Sequence, residues 1–304
     1  MALTLEGLQW LDAIDRRGSF AAAAKEQGKV PSALTYVVRK MEEDLDLLLF
    51  DRRSHRARLT PAGQELLKEG RTLLRAADDL ERRVRRVATG WEVELRIAVD
   101  DILCWDVLLK TAAEFYAEHG GTRLRFFGEV LSGTWDALLS GRADLALGTT
   151  SGSRNAGEAV IGHQSRPLGA IEMVFAVAPT HPLAHANEPI LPEEILRHRA
   201  VAVGDTARNL AAITVGLLRG QDVLTVPTMQ AKVAAQIAGL GCGYLALGMA
   251  RPHIEAGRLV AKSTAEPRFT GKLHYSWASS ARGKALNWFL ARLEDPALRQ
   301  ALLP

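Results

Sequence analysis

The sequence predicts an α/β protein assembled from an all-helical N-terminal head, one long linker helix and a larger body of alternating strands and helices. Three observations carry this reading. Apolar residues return at helical spacing three times within residues 5–45, the signature of amphipathic helices. A seven-residue repeat runs through residues 61–89, as in helices that seek a partner. Beyond residue 91, short apolar runs alternate with helical stretches, the pattern of α/β bodies. The 304 residues fit two or three domains at roughly 100–200 residues each. With 47% hydrophobic and 24% charged residues the composition is globular, and no stretch approaches the ~18–20 consecutive apolar residues of a membrane span. The chain is therefore expected to be soluble, with no membrane partner. Its start carries Glu6, Asp12 and Asp15 and lacks the basic and apolar regions of an export signal, so a cytoplasmic location is expected. Cys104 and Cys242 stand far apart, with no CxxC or His at ligand spacing. They predict buried thiols, and neither a disulfide framework nor a metal site.

The first helix is expected from Leu5 to Arg17, with Leu5, Leu8, Leu11, Ala13 and Ile14 on one stripe and Gly18 ending the run. Ser19 is a good N-cap for the next, through Gln27, whose alanines favour helix and permit close approach of a neighbour. Gly28 closes it, and Pro31 opens a third helix running to Leu45, at a position where the missing N–H costs nothing. This third helix has two faces. Leu34, Val37, Val38, Met41 and Leu45 form an apolar stripe, while Ser32, Thr35, Tyr36, Arg39 and Lys40 supply hydroxyls and cations that a core does not need. Two helices meeting across a tight glycine turn, the second so divided, match a helix-turn-helix whose recognition helix enters the DNA major groove. Taken alone, an amphipathic surface helix fits as well.

Residues 49–60 read as two short strands round a polar tip with Arg52, Arg53, Arg56 and Arg58: a basic wing, or a solvated basic loop. Charge location favours the wing. Residues 1–90 hold 17 Lys/Arg against 14 Asp/Glu, so the whole net charge of +3 lies in this segment and the remainder is balanced, as expected when the head meets a polyanion. Thr60-Pro61 then caps the linker helix, which carries Leu66, Leu73, Leu80 and Val87 seven residues apart, with Gly70, Ala77 and Val84 on an interleaved series. Such a seam pairs with a second copy or packs on its own domain; its narrowness and length favour a dimer.

At this point the sequence resembles the LysR-type transcription regulators. The resemblance rests on Gly18-Ser-Phe-Ala-Ala-Ala-Ala24, on Pro31-Ser-Ala-Leu-Thr-Tyr-Val-Val-Arg-Lys-Met-Glu42, on Leu49-Phe-Asp-Arg52 and on Leu59-Thr-Pro-Ala-Gly63. Thr35 stands where the family usually has Ser, Met41 where it has Leu, and Pro31 where a polar residue is common; hydroxyl and apolar contact are both kept. The body resembles the family more weakly, in residues 94–99, 124–130, 138–148, 172–183, 239–247 and 255–260. The resemblance implies a winged helix-turn-helix over residues 1–60, a dimerising linker helix over 61–90 and a periplasmic-binding-protein-like, two-lobed α/β effector domain over 91–304. Lobe 1 would hold about 91–165 and 267–304, and lobe 2 about 166–266. Crossovers would fall near 163–168 and 265–270, residues 255–260 would form lobe 2's last strand, and a C-terminal helix, about Lys284–Glu294, would return to lobe 1.

The function so implied is sequence-specific control of transcription by a dimer or tetramer bound to a double-stranded DNA operator, with a small-molecule effector between the lobes and RNA polymerase as a further partner. Ser19, Ser32, Thr35, Tyr36, Arg39 and Lys40, with Arg52, Arg53 and Arg56 of the wing, are the expected DNA-binding residues. Segments that follow strand ends supply the expected effector residues: Asp100, Asp101, Ile102, Leu103; Glu129, Leu131, Ser132; Gly204, Asp205, Thr206; and Leu247. If Asp100 and Glu129 face the cleft, they repel carboxylates and leave room for a neutral aromatic or a cation beside Trp105 or Trp135; if they point outwards they act as caps, Asp101 capping the helix that follows it. No cofactor is implied, and no enzyme. Gly239-Leu-Gly-Cys-Gly243 lacks the last glycine of a nucleotide loop, since Tyr244 stands there. There is no G-x-S-x-G, phosphate-loop or H-E-x-x-H motif, and His163, His181, His185 and His198 have no triad spacing. The rival readings are an enzyme or a solute-binding domain fused to a DNA-binding head.

Overall fold

The structure, a computed structural model, describes residues 3–51, 57–119, 121–150, 161–265 and 270–304. It divides into two compact units, Met1–Ala88 and Thr89–Pro304.

In the first unit, α1 (Leu5–Arg17) starts on Thr4, whose hydroxyl accepts from the Gly7 N–H at 3.0 Å, and stops at Gly18 in the left-handed conformation, φ 68°. There a side chain would be strained. Ser19 caps α2 (Phe20–Glu26) through the Ala22 N–H at 3.2 Å. Then α3 (Pro31–Leu45) lays Leu34, Val38 and Met41 on Leu8, Leu11, Ile14, Ala23 and Ala24. The strands β1 (Phe50–Asp51) and β2 (Arg58–Leu59) pair antiparallel, and Phe50 closes edge-to-face on Phe20 at 5.2 Å. Buried Glu42 of α3 holds this hairpin: its carboxylate accepts from the Leu49 and Phe50 N–H groups at 2.8 and 3.2 Å.

The linker helix α4 (Pro61–Thr89) divides its apolar residues between two tasks. Leu66, Leu67 and Leu74 pack on the head's core, Gly70 touches Leu8, and Arg71 bonds Asp12 and Asp15 at 2.7 and 3.0 Å. By contrast, Leu73, Leu80 and Val84 are 53%, 56% and 61% exposed. The four-heptad seam is thus corrected. Its first turns are satisfied inside the head, which leaves a shorter stripe unpartnered; Val87's side chain lies outside the described residues.

In the second unit, β3 (Glu94–Asp100) pairs in parallel with β4 (Arg123–Glu129) and with β5 (Leu145–Thr150). Between these strands run α5 (Trp105–Glu118) and α6 (Gly133–Leu139). The long β6 (His163–Val177) runs against β11 (Thr270–Ala278) from His163 to Glu172, and from Met173 onward against β9 (Gly243–Ala246) and β10 (Val260–Lys262). Passage into the second sheet therefore lies at 172–173, later than 163–168, because β11 offers a pairing edge that far. The second sheet gains β7 (Ala200–Val203) and β8 (Val223–Val226), parallel to each other and joined to the residue before β9 by an Ala200–Cys242 bridge. It is covered by α8 (Met229–Ile237) and α9 (Leu247–Glu255), with α7 (Pro192–Ile195) nearby. The strand expected over 255–260 begins only at Val260, since α9 extends to Glu255.

After β11 come α10 (Lys284–Arg292) and α11 (Pro296–Leu302); the second was not foreseen. Glu92 caps α10 through the Ala285 and Leu286 N–H groups at 2.9 and 3.0 Å. The Leu302 carbonyl accepts from the Cys104 N–H at 2.9 Å, which seats α11 beside α5. Phe289 and Leu286 join Phe115, Leu95 and Ile97 in the main core. Cys242 is buried as expected, whereas Cys104 is only half-buried.

Candidate DNA-binding helix and interlobe contact

On α3 the residues opposite the buried stripe are all exposed: Ser32, Thr35, Tyr36, Arg39 and Lys40. Tyr36 is 66% exposed, a fraction that no packing requirement explains for an aromatic ring. Thr35 donates its hydroxyl to the Pro31 carbonyl at 3.0 Å, so what the hydroxyl can offer beyond the helix is its acceptor lone pairs. Ser19 serves as the α2 cap already described and is half-buried. Arg52, Arg53 and Arg56 lie outside the described residues. Glu42 was missed by the sequence reasoning, because a carboxylate between Met41 and Glu43 reads as solvent-facing until the hairpin is placed against it.

In the second unit the loops at the strand ends meet directly. Thr206 accepts from the Val130 N–H at 2.9 Å and donates to the Glu129 carboxylate. Ser132 donates its hydroxyl to Asp205, which also accepts from the Ala207 and Ile213 N–H groups at 2.8 and 2.9 Å. Asp136 receives the Asn209 and Leu210 N–H groups at 2.8 and 3.1 Å. Beneath lies Arg142, 2.5 Å from Glu129 and 3.1 Å from Asp136. Burial pushes the Asp136 carboxyl up, but the Asn209 N–H, the Arg142 guanidinium and further backbone N–H groups hold it below its usual range. Gly133 allows the approach, since a Cβ there would overlap Thr206 and crowd Glu129.

The expected effector residues thus separate. Glu129, Ser132, Asp205 and Thr206, with Leu131 beside them, come together across the two lobes. Ile102 and Leu103 belong to the core, at 9% and 3% exposure, because the chain turns inward before α5. Gly204 extends β7, donating to the Val226 carbonyl at 2.9 Å. Leu247 opens α9 and lines a different cavity with Glu172 and Glu188. Asp101 does not cap the helix that follows it; its carboxylate accepts from the Met229 N–H at 2.6 Å, at the start of α8 in the other lobe.

For the acidic pair, expected either to face the cleft or to point outwards as caps, the structure shows both carboxylates buried. Glu129 is 3% exposed and paired with Arg142, which it shares with Asp136. Asp100 is buried, and burial, with Asp101 and Asp205 nearby, pushes it up to about 7 against the N–H groups of Ile102 and Leu131 that favour its charge. The tryptophans are also engaged: Trp105 packs edge-to-face on Phe126 at 6.4 Å, and Trp135 donates to the Thr150 carbonyl at 3.2 Å.

Sequence reasoning passed over Arg142, although it stands within a quoted segment, and the pair Lys232 and Gln236 on α8. Both of the latter are buried, and neither polar atom of the Gln236 side chain has a hydrogen-bond partner among the described residues. Burial pulls Lys232 down to about 8. The readable signal was their position, three and seven residues after Met229 on the helix face that also carries Val233.

A helix-turn-helix head with an exposed polar face, joined to a two-lobed α/β body whose lobes meet through strand-end loops, defines a DNA-binding regulator with an effector domain. The comparisons agree. Residues 5–64 match the family model described as a bacterial regulatory helix-turn-helix protein of the lysR family. Residues 88–297 match the LysR substrate binding domain. The HTH-type transcriptional regulator YeeY of Escherichia coli (strain K12), described as uncharacterized, is 40% identical over 285 residues, covering 94% of this chain and 91% of its own. The probable HTH-type transcriptional regulator YhaJ of the same organism is 40% identical over 299 residues, 96% of each. Full-length CbnR in complex with its target DNA shares the fold with a TM-score of 0.62 at 16% identity, over 97% of this chain and 100% of that one. The chain belongs to the LysR family of DNA-binding transcription regulators and is not an enzyme. Among the described residues no helix is long and apolar enough to cross a membrane.

Proposed function

We propose that this regulator binds its operator as a dimer joined through α4, and that a small-molecule effector acts at the contact between its lobes. The observation that carries the DNA reading is the exposed face of α3. On this reading Thr35, Tyr36 and Arg39, exposed on that face, are the residues that read base edges, as in a recognition helix. Ser32, Lys40 and the wing's Arg52, Arg53 and Arg56 supply phosphate contacts, which set affinity more than sequence preference. The stripe of Leu73, Leu80 and Val84 supports the dimer: exposed large aliphatics in a row on a charged helix need a cover. Contact with RNA polymerase follows as a further proposal from the regulatory role.

The contact of 204–210 with 129–136 supports the sensing role. Its hydrogen bonds join residues more than 70 positions apart, and they hold only while the lobes stay together. A ligand that prefers one lobe arrangement shifts the equilibrium by its difference in affinity for the two. Footprinting of the intact chain on its bound DNA, with and without candidate metabolites, tests the proposal. A change in protected length on adding a metabolite, absent when Thr206 is replaced by Val, supports it. An unchanged response in Thr206→Val would remove the lobe contact from the mechanism.

A further inference from the structure

Between β7 and β8 the chain runs from Gly204 to Asp222 without helix or strand, and its two ends do different things. Residues 205–210 dock on the first lobe, as described. Residues 215–218 and Gln221 instead wall a cavity of about 340 Å³ that lies wholly within the second lobe. The volume sits at the lower end of the ~300–1,000 Å³ typical of ligand pockets. None of its lining residues belongs to the lobe contact.

The chemistry of the walls is narrow. Phe175, Ile195, Leu218 and Cys242 are apolar or nearly so, and no Asp, Glu, Lys or Arg lines the space. Cys242 is fully buried, and burial pushes its thiol up to about 11, so it is neutral. Gln221 is already committed: its amide N–H₂ donates to the Ile195 and His198 carbonyls at 3.2 and 2.9 Å, and its oxygen accepts from the Leu218 N–H at 3.3 Å. Also polar on the wall is Tyr244, whose hydroxyl pairs with that of Thr264 at 2.9 Å, the Tyr244 ring being set edge-to-face on Phe175 at 5.3 Å. Such walls favour an uncharged aromatic molecule with a single hydrogen-bonding group, since a charge would be desolvated here without a partner.

The segment also links the two places. Asp205 accepts from Ile213 as well as from Ser132, so the docking end is tied to the chain two residues before Val215, the first cavity-lining residue of the segment. Gly216, at φ +69°, approaches the Tyr244 ring closely, since a Cβ there would stand 3.0 Å from its Cδ2. Movement of the ring is therefore felt by the segment.

We propose that the cavity bounded by Phe175, Leu218, Cys242 and Tyr244 is a second ligand site, taking a small neutral aromatic molecule, and that segment 204–222 carries its occupancy to the lobe contact. The site stands on the cavity itself; the transmission rests on the reading of the lobe contact as the sensing element.

The test is calorimetry of the full chain with indole, and with indole-2-carboxylate as a charged counterpart, on the parent, Ala200→Leu and Val215→Phe. Ala200 and Val215 both line the cavity, one on a strand and one on the segment, so a folding failure of one leaves the other. Indole binding that weakens at least tenfold in the folded variants, with no binding of the carboxylate, supports the site. Indole binding unchanged by both, or absent from the parent up to its solubility, overturns it, whatever Thr206→Val does to DNA footprints. Hydrogen exchange at the Val130 and Ser132 amides reads transmission: a change of at least threefold on adding indole supports it, and unchanged exchange despite binding overturns that half.

Discussion

Replacing Thr206 by Val removes one oxygen from the lobe contact and keeps the side chain's shape. That oxygen is the acceptor for the Val130 N–H at 2.9 Å and the donor to Glu129. Val130 and Glu129 are 6% and 3% exposed, so water is a poor substitute while the lobes are closed. Two buried groups left unpaired cost about 1–3 kcal/mol each, and together about 2–4 kcal/mol, the carboxylate keeping Arg142 as its other partner. At ~2–4 °C per kcal/mol for a unit of this size, Tm should fall by roughly 4–16 °C. If the lobes part instead, the loss is limited by the cost of opening, and Val130 loses its protection. Scanning calorimetry with hydrogen exchange at Val130 covers both outcomes, and Thr206→Ser, which keeps the hydroxyl, should recover most of the loss. A Thr206→Val protein that melts within 1 °C of the parent with Val130 still protected would refute the reasoning.

Other predictions concern assembly and pH. Leu73→Glu with Leu80→Glu should abolish dimerisation through α4, read by sedimentation velocity, because a paired seam would bury unpaired carboxylates; Leu67→Ala, at 3% exposure in the head's core, should instead cost about 2–5 kcal/mol of head stability. Lys232 falls from 10.5 to about 8 on folding, so the unfolded chain binds more protons between these values and stability should rise with pH, by about 1 kcal/mol from pH 7 to 9. Above pH 9 the Cys242 thiol, raised to about 11, works the other way; Lys232→Met should remove the rise and melt higher at pH 7. Asp100, raised from 3.8 to about 7, keeps its proton longer in the folded state, so its share of stability is lost as pH rises from 4 to 7. Asp100→Asn should melt higher than the parent at pH 8 and lose that margin at pH 4, measured in paired thermal scans.

The head was legible in the sequence because each of its signals is local. Ser19 caps the helix that begins one residue later, Gly18 ends the one before, and Leu34, Val38 and Met41 form a stripe at one helical spacing. The linker was half legible. Periodicity marks Leu66 and Leu73 alike, but only the fold tells that Leu66 packs on the head's core while Leu73 stays exposed. In the body, alternation located the strands, but the crossing point depends on how far β11 pairs with β6, a long-range match that neither strand announces. The candidate site was least legible. Asp101 reads as a cap for its own neighbourhood and in fact serves Met229, 128 positions away. The charge of Glu129 could not be judged without Arg142. Carboxylates find partners by topology, and a one-dimensional pattern carries no record of them.

Selection of bound sequences from a randomised DNA pool, run in parallel with the intact chain and with Arg39→Ala, tests most directly whether α3 reads DNA. The parent should enrich a pseudo-palindrome with half-sites about one helical turn or a multiple apart. Arg39→Ala should lose preference at one or two base pairs of each half-site, about 1–3 kcal/mol, while keeping the rest and nearly the same salt dependence. An identical motif from both proteins, or no motif from the parent, would contradict the account.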